Sequence, residues 1–255
     1  MATLSATTLL DVWERGRAHG PLEQAALLLA AAHPATPPGA LGAITVGRRD
    51  ALLLALREST FGPRIASVAT CPACGEALEL AFDCADLRQG DGVPGGKDGG
   101  KDDGQHDDTQ RLELDGYAVR FRCVSSDDLA ALAGGAGDTS PRLALLRRCV
   151  LEARGATAPV AVESLPAHVL DAVEQRMALA DPGADLRLAV ACPACGHRWQ
   201  AVFDIVSFFW REIESWACRL LRDVHALAGA YGWSEREILA LSPFRRRCYL
   251  DMVGS

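Results

Sequence analysis

The chain has 255 residues, of which 49% are apolar, and a formal net charge of −7 at pH 7. The apolar content suffices for a hydrophobic core and excludes a wholly disordered chain, and the acidic balance disfavours a protein that binds nucleic acid through a broad basic face. We find no signal peptide or membrane span, and the nine cysteines therefore indicate a reducing, cytoplasmic environment.

Residues 1–62 are predicted to form an N-terminal helical segment. A short apolar face covers Leu9 to Trp13, and a second helix begins at Pro21. A third helix, RRDALLLALR, begins at Arg48 and is followed by the helix-breaking residues Phe-Gly-Pro. This part of the chain is therefore expected to pack as helices against the rest.

Two CPACG units stand far apart in the chain, within residues 63–88 and 185–204. Alternating apolar residues flank each unit and predict a strand on each side of the turn, so that each unit forms a β-hairpin. A Phe-Asp pair follows each unit at the same offset, since Phe82 and Phe203 both lie eleven residues after the first cysteine. The match of motif, spacing and flank indicates a duplicated structural unit.

Residues 89–110 have the composition of a flexible, disordered loop: QGDGVPGGKDGGKDDGQHDDTQ is rich in Gly and Asp and has almost no apolar residue. The aspartates lack the regular ligand spacing and the closing Glu of a calcium loop.

Residues 111–184 are predicted to contain a strand and helices. The strand GYAVRFRCV begins at Gly116, and Ser125 with Asp128 forms a capping box for the next helix. Pro141 opens a helix that covers LALLRRCVLEA, and a further helix is expected over residues 166–180.

Residues 205–255 are predicted to be helical. The first of these helices has an apolar face with a period of three to four residues, formed by Val206, Phe209, Ile213, Trp216, Leu220, Val224 and Leu227. Phe208 and Trp210 flank this face and, with the basic cluster Arg245, Arg246 and Arg247, are candidate partner-binding residues. The fold class is α+β, mainly helical with a zinc-ribbon-like pair of β-hairpins, in one compact domain overall.

The cysteine spacing predicts one structural zinc ion. Cys-x-x-Cys-Gly at a hairpin turn supplies two thiolates, and two such knuckles supply the four ligands of a closed tetrahedral site: Cys71, Cys74, Cys192 and Cys195. A thioredoxin-like redox pair would need one motif at a helix N-terminus, whereas both copies here lie between strands. An arrangement in which His197 replaces one thiolate stays open.

The remaining patterns indicate a protein that is not an enzyme. A four-thiolate zinc site has no open position for a water or substrate, and no phosphate loop, nucleophile elbow or dinucleotide fingerprint occurs in the chain. A zinc hydrolase is therefore disfavoured. The alternative function is a zinc-ribbon adaptor or regulator that binds nucleic acid, which Arg245 to Arg247 would serve and the net charge opposes.

Two stretches resemble known proteins. VGRRDALLLALRESTFGPRIASVATCPACGEALEL is similar to a segment of baseplate-hub assembly chaperones of contractile-tailed phages. The stretch from Cys192 to Leu250 resembles proteins encoded in phage-tail-like contractile injection system clusters. The resemblance implies a cytoplasmic assembly factor or minor baseplate component that binds hub, spike or wedge proteins. It leaves open which of them is the partner and whether the chain remains in the mature particle.

Overall fold

The structure, a computed structural model, describes residues 4–88, 109–134 and 140–253. These ranges are mainly helical with short antiparallel strands, which confirms the predicted α+β fold class. No helix in them is long and apolar enough to cross a membrane. The predicted loop over residues 89–110 lies almost wholly outside the described residues, because only its last two positions are described, as the start of a strand.

The secondary structure follows the chain in a mixed order. The helices are α1 (Ala6–Gly16), α2 (Pro21–Ala32), α3 (Pro38–Ala43), α4 (Val46–Phe61), α5 (Cys84–Arg88), α6 (Ser126–Ala133), α7 (Pro141–Cys149), α8 (Ala167–Ala180), α9 (Ile205–Tyr231), α10 (Glu235–Ala240) and α11 (Pro243–Val253). The strands are β1 (Arg64–Thr70), β2 (Ala77–Asp83), β3 (Thr109–Leu114), β4 (Tyr117–Arg122), β5 (Val150–Arg154), β6 (Arg187–Ala191) and β7 (Arg198–Val202). Short 3-10 turns cover Val162–Ser164 and Pro182–Ala184.

The chain divides into two compact units, where the sequence analysis expected one compact domain. A terminal unit combines Met1–Pro34 with Ile205–Ser255, and a central unit covers Ala35–Asp204. The terminal unit joins both ends of the chain, which the order of predicted elements does not reveal.

The terminal unit is helical. Helices α1, α2 and α9 contact one another, and α10 and α11 pack on α9. The indole of Trp210 lies directly against Gly16, since a side-chain carbon at that glycine would come within 2.2 Å of the ring. At the other end of α9, Val224 and Leu227 form a small core with Ile238 of α10.

One hydrophobic core of the central unit lies between a three-stranded antiparallel sheet, β3–β4–β5, and helix α8. Val119 and Phe121 of β4 are fully buried there with Val169 and Val173 of α8. A helix was predicted over all of LALLRRCVLEA, but α7 ends at Cys149 and the last four residues, VLEA, continue as a strand from Val150. Pairing with β4 overrides the local helical preference of this segment.

Helix α4 holds the two CPACG hairpins through both of its ends. At its N-terminus, the Asp181 carboxylate accepts a hydrogen bond of 2.8 Å from the Gly47 N–H, just before the turn that leads into β6. At its C-terminus, the buried Arg57 donates to the carbonyl oxygens of Gly62 and Arg64, each at 2.7 Å, and so fixes the start of β1. The same helix thus positions the beginning of each hairpin.

Asp128 is a buried junction in the central unit. Its carboxylate accepts hydrogen bonds from Arg122 at 2.5 and 2.9 Å, from Arg148 at 2.9 Å, and from the N–H and hydroxyl of Ser125 at 3.0 and 2.9 Å. Burial raises the pKa of this carboxyl, but the hydrogen bonds from Arg122 and Ser125 outweigh burial and hold the pKa well below its usual range. The capping box predicted from Ser125 and Asp128 is confirmed.

We expect Asp128→Asn to lower the free energy of unfolding at pH 7 by about 2–3 kcal/mol, because Arg122 and Arg148 lose a charged acceptor. The loss is moderate because water partly solvates both arginines. A depressed folded-state pKa contributes stability that is present above the unfolded-state pKa, about 3.9, and is lost as the pH falls towards the folded-state value. Urea unfolding should therefore show a difference between wild type and variant that shrinks below pH 4. The neighbouring, exposed Asp127→Asn is the control and should cost less than about 1 kcal/mol. An equal loss for Asp128→Asn at pH 7 and pH 3 would contradict this account.

Candidate metal centre

Each CPACG sequence forms the turn of a two-stranded antiparallel hairpin. Hairpin 1 joins β1 to β2, and hairpin 2 joins β6 to β7. In hairpin 1 the Cys71 N–H donates to the Glu76 carbonyl at 2.8 Å, and the Gly75 N–H donates to the Cys71 carbonyl at 2.9 Å. Hairpin 2 repeats both hydrogen bonds at the same distances, from Cys192 to His197 and from Gly196 to Cys192.

Glycine is required at the fifth position of each turn. Gly75 has a φ of 77° and Gly196 a φ of 74°, a left-handed conformation that glycine adopts without steric cost. This conformation lets the chain reverse directly after the second cysteine, so that both thiols of one turn reach the same place.

The inner faces of the two hairpins pack together and bring the turns into contact. Leu78 of hairpin 1 and Trp199 of hairpin 2 belong to the same apolar cluster as two of the cysteines. At the far end, the rings of Phe82 and Phe203 meet edge to face with centroids 5.5 Å apart. The repeated Phe of the sequence motif is therefore a packing contact between the two copies.

The four cysteine sulfurs converge between the turns. Cys71, Cys74, Cys192 and Cys195, hereafter the four-cysteine cluster, have sulfur atoms that all lie within 4.8 Å of one another. The Cys71–Cys195 and Cys74–Cys192 sulfur pairs are 3.7 Å apart. A tetrahedral site with Zn–S bonds of 2.3 Å would separate its sulfurs by about 3.8 Å. The residues thus fit a tetrahedral metal ion, and all four thiols are free of disulfides.

The thiols of the cluster affect one another's ionisation. Burial raises the pKa of the Cys71 thiol, but backbone N–H groups of Cys74 and Ala73 donate to its sulfur and bring the pKa down to about 7. At Cys74 the N–H of Glu76 lowers the pKa, whereas the neighbouring sulfurs, first that of Cys195, raise it to about 12. The opposite shifts arise because one thiolate disfavours ionisation of the next. A divalent cation would remove this conflict by stabilising all four thiolates.

Exposure divides the cluster in two. The first cysteine of each turn is buried, with Cys71 at 1% and Cys192 at 2% of full exposure, whereas the second, Cys74 or Cys195, is exposed. The related hairpins place equivalent residues in equivalent environments, as a duplicated unit should.

His197 lies outside the four-cysteine cluster. Its exposed ring stacks on Trp199 with ring centroids 5.8 Å apart. Its backbone carbonyl accepts the hydrogen bond from the Cys192 N–H in the turn. Among the described residues, only the four cysteines were found grouped closely enough to hold a metal ion. The thiolate set is therefore favoured over a set that includes this histidine.

The predicted partner-binding aromatics need a correction. Phe208 and Trp210 are buried, at 8% and 7% of full exposure, because the start of α9 buries residues on more than one face, including Ile205, Val206 and Phe209. A side chain in this state presents no surface to a partner, and we reassign both residues to the core.

The basic cluster on α11 is also divided. Arg246 is buried at 7% exposure, whereas Arg245 and Arg247 are exposed, and Arg247 pairs with Asp251 at 3.1 Å. Phe244, which the sequence analysis did not single out, is 78% exposed beside them. The accessible residues in the first half of this helix therefore include Phe244, Arg245 and Arg247.

Two residues that support the metal centre were not among the predicted site residues. Leu78 and Trp199 each lie seven residues after the first cysteine of their unit and pack beside the cluster. The shared offset could have identified Leu78 and Trp199 as equivalent positions. The two residues differ in type, so a comparison of residue identity alone does not match them.

Comparison with known proteins finds no matching family model, no similar curated protein and no similar solved structure.

Proposed function

We propose that the four-cysteine cluster binds one structural Zn²⁺ and that the protein is a non-enzymatic assembly factor, or minor component, of a contractile phage-tail-like baseplate or hub. The observation that carries the metal assignment is the convergence of four sulfurs within 4.8 Å at two related turns. The resemblance of the α4–hairpin 1 segment to baseplate-hub assembly chaperones supports the assembly role.

A structural role for the ion follows from the ligand set. Four thiolates complete a tetrahedron, so neither water nor substrate gains a coordination position. Thiolates in this geometry suit zinc or iron, and zinc is proposed because it holds the site closed without redox chemistry.

The ion would stabilise the central unit by joining segments that are distant in sequence. Cys74 and Cys192 are separated by 117 residues, and the cost of closing such a loop grows only logarithmically with its length. Binding energy on the order of 10 kcal/mol for a structural zinc exceeds this cost.

The partners proposed are hub, spike or wedge proteins, contacted through protein surfaces. With Phe208 and Trp210 in the core, the exposed Phe244, Arg245 and Arg247 of α11 replace them as the candidate contact surface. An exposed aromatic flanked by arginines has the composition of an interface hot spot.

Co-expression with the hub, spike and wedge proteins of the same gene cluster tests the assembly role. We expect the tagged chain to retain at least one of them through gel filtration, and Phe244→Asp combined with Arg245→Glu to abolish retention without loss of folding or metal. Arg236→Glu, an exposed change on α10, is the control. Failure of the metal-loaded chain to retain any of these proteins would contradict the role, as would binding of DNA or RNA at physiological salt.

A further inference from the structure

The two exposed cysteines of the cluster lie together at one solvent-facing edge. Cys74 and Cys195 come from different hairpins, and their sulfurs are within 4.8 Å of each other. Gly75 and Gly196 follow them directly, and a side-chain carbon at either glycine would meet no described residue within 4 Å apart from its chain neighbours. Small solutes can therefore approach this pair from solvent, whereas Cys71 and Cys192 are shielded.

We propose that Cys74 and Cys195 form an oxidation site for hydroperoxides, at which the two sulfurs join in a disulfide and the bound metal ion is released. The proposal rests on the metal binding proposed above. Its chemistry follows from the thiolate state that metal coordination maintains, since the thiolate is the nucleophilic form of cysteine.

The reaction takes two electrons from the two sulfurs. One exposed thiolate attacks the O–O bond of hydrogen peroxide, which gives a sulfenic acid and hydroxide. The second exposed thiolate attacks the sulfenic sulfur, forms the S–S bond and expels a second hydroxide. Two protons from solvent convert both hydroxides to water, and the metal ion, left with two thiolate ligands, dissociates.

The product keeps the hairpins joined. Cys74 and Cys195 occupy equivalent positions on the two turns, so a disulfide between them would replace the metal as a link between hairpin 1 and hairpin 2. A disulfide within one turn would leave no covalent link between the two turns. A thiol reductant together with free zinc restores the starting state, which makes the change reversible.

Other cysteines provide internal controls. Cys84 and Cys149 are fully buried, and burial raises the pKa of the Cys149 thiol to about 11. A buried, protonated thiol reacts slowly with peroxide. Cys218 and Cys248 are partly exposed, and their replacement by serine removes the competing thiols.

The test uses the zinc-loaded full chain carrying Cys218→Ser and Cys248→Ser, treated with hydrogen peroxide. A chromogenic chelator measures released zinc, and peptide mass spectrometry without reduction identifies the disulfides. We expect one zinc released per disulfide formed, and a roughly tenfold excess of the Cys74–Cys195 disulfide over other pairs, because exposure controls thiolate oxidation. Cys84 and Cys149 should remain alkylatable after denaturation, and dithiothreitol with zinc should restore the metal content.

Two results would overturn the proposal. One is retention of zinc at peroxide concentrations that oxidise glutathione in the same solution. The other is a first-formed disulfide at any other pair, either within a turn, Cys71–Cys74 or Cys192–Cys195, or between an exposed and a buried cysteine whose sulfurs are 3.7 Å apart, Cys71–Cys195 or Cys74–Cys192. Absence of zinc from the protein before treatment would instead overturn the proposed metal site, so the two failures are distinguishable.

Discussion

Replacement of Cys192 by serine should prevent stable folding of the central unit. Cys192 is 2% exposed, and its sulfur is 3.7 Å from that of Cys74 on the other hairpin. Loss of one ligand removes much of a binding energy on the order of 10 kcal/mol, while a whole domain is stable by only about 5–15 kcal/mol. We expect aggregation, or a cooperative melting transition lowered by more than about 15 °C.

Cys248→Ser is the matched control for this variant. Cys248 is partly exposed on α11 and lies outside the four-cysteine cluster, so its replacement should change stability by less than about 1 kcal/mol. Circular dichroism melting curves of the two variants and the wild type provide the comparison. Equal melting temperatures for Cys192→Ser and the wild type would show that the cluster does not stabilise the fold.

Trp210→Ala should lower the free energy of unfolding by about 3–5 kcal/mol, the usual cost of emptying a large core site. The indole is 7% exposed and fills the space left by the absent side chain of Gly16. Alanine would leave a cavity between α1 and α9 that the glycine cannot fill.

Phe244→Ala removes a comparable aromatic ring from a 78% exposed position and should change stability by at most about 0.5 kcal/mol. Urea unfolding of both variants separates a core residue from a surface residue. Wild-type stability of Trp210→Ala would contradict the core assignment and return Trp210 to the candidate partner surface.

The metal centre could be predicted from the sequence because its information is local and repeated. A knuckle needs two cysteines, a glycine with left-handed backbone and two flanking strands, all within about a dozen residues. The second copy, with Phe203 at the same offset as Phe82, then identified the partner hairpin. The burial difference between Cys71 and Cys74 could not be predicted, since it depends on how the hairpins pack.

The partner residues were harder to predict because burial depends on distant segments. Helix residues are 100° apart, so Arg245, Arg246 and Arg247 cannot all face the same way, and Arg246 lies on the side of Tyr249 and Leu250. The burial of Arg246 could therefore have been predicted from the helical period. The burial of Trp210 could not be predicted, because it requires α1 and α9, from opposite ends of the chain, to pack together at Gly16.

The metal content of the purified protein tests the central claim most directly. Elemental analysis by mass spectrometry should find one zinc per chain in the wild type and in Cys248→Ser, and less than half of that in Cys192→Ser. Iron in place of zinc would contradict the assignment of the ion. No metal, or two ions per chain, would contradict the single four-thiolate site itself.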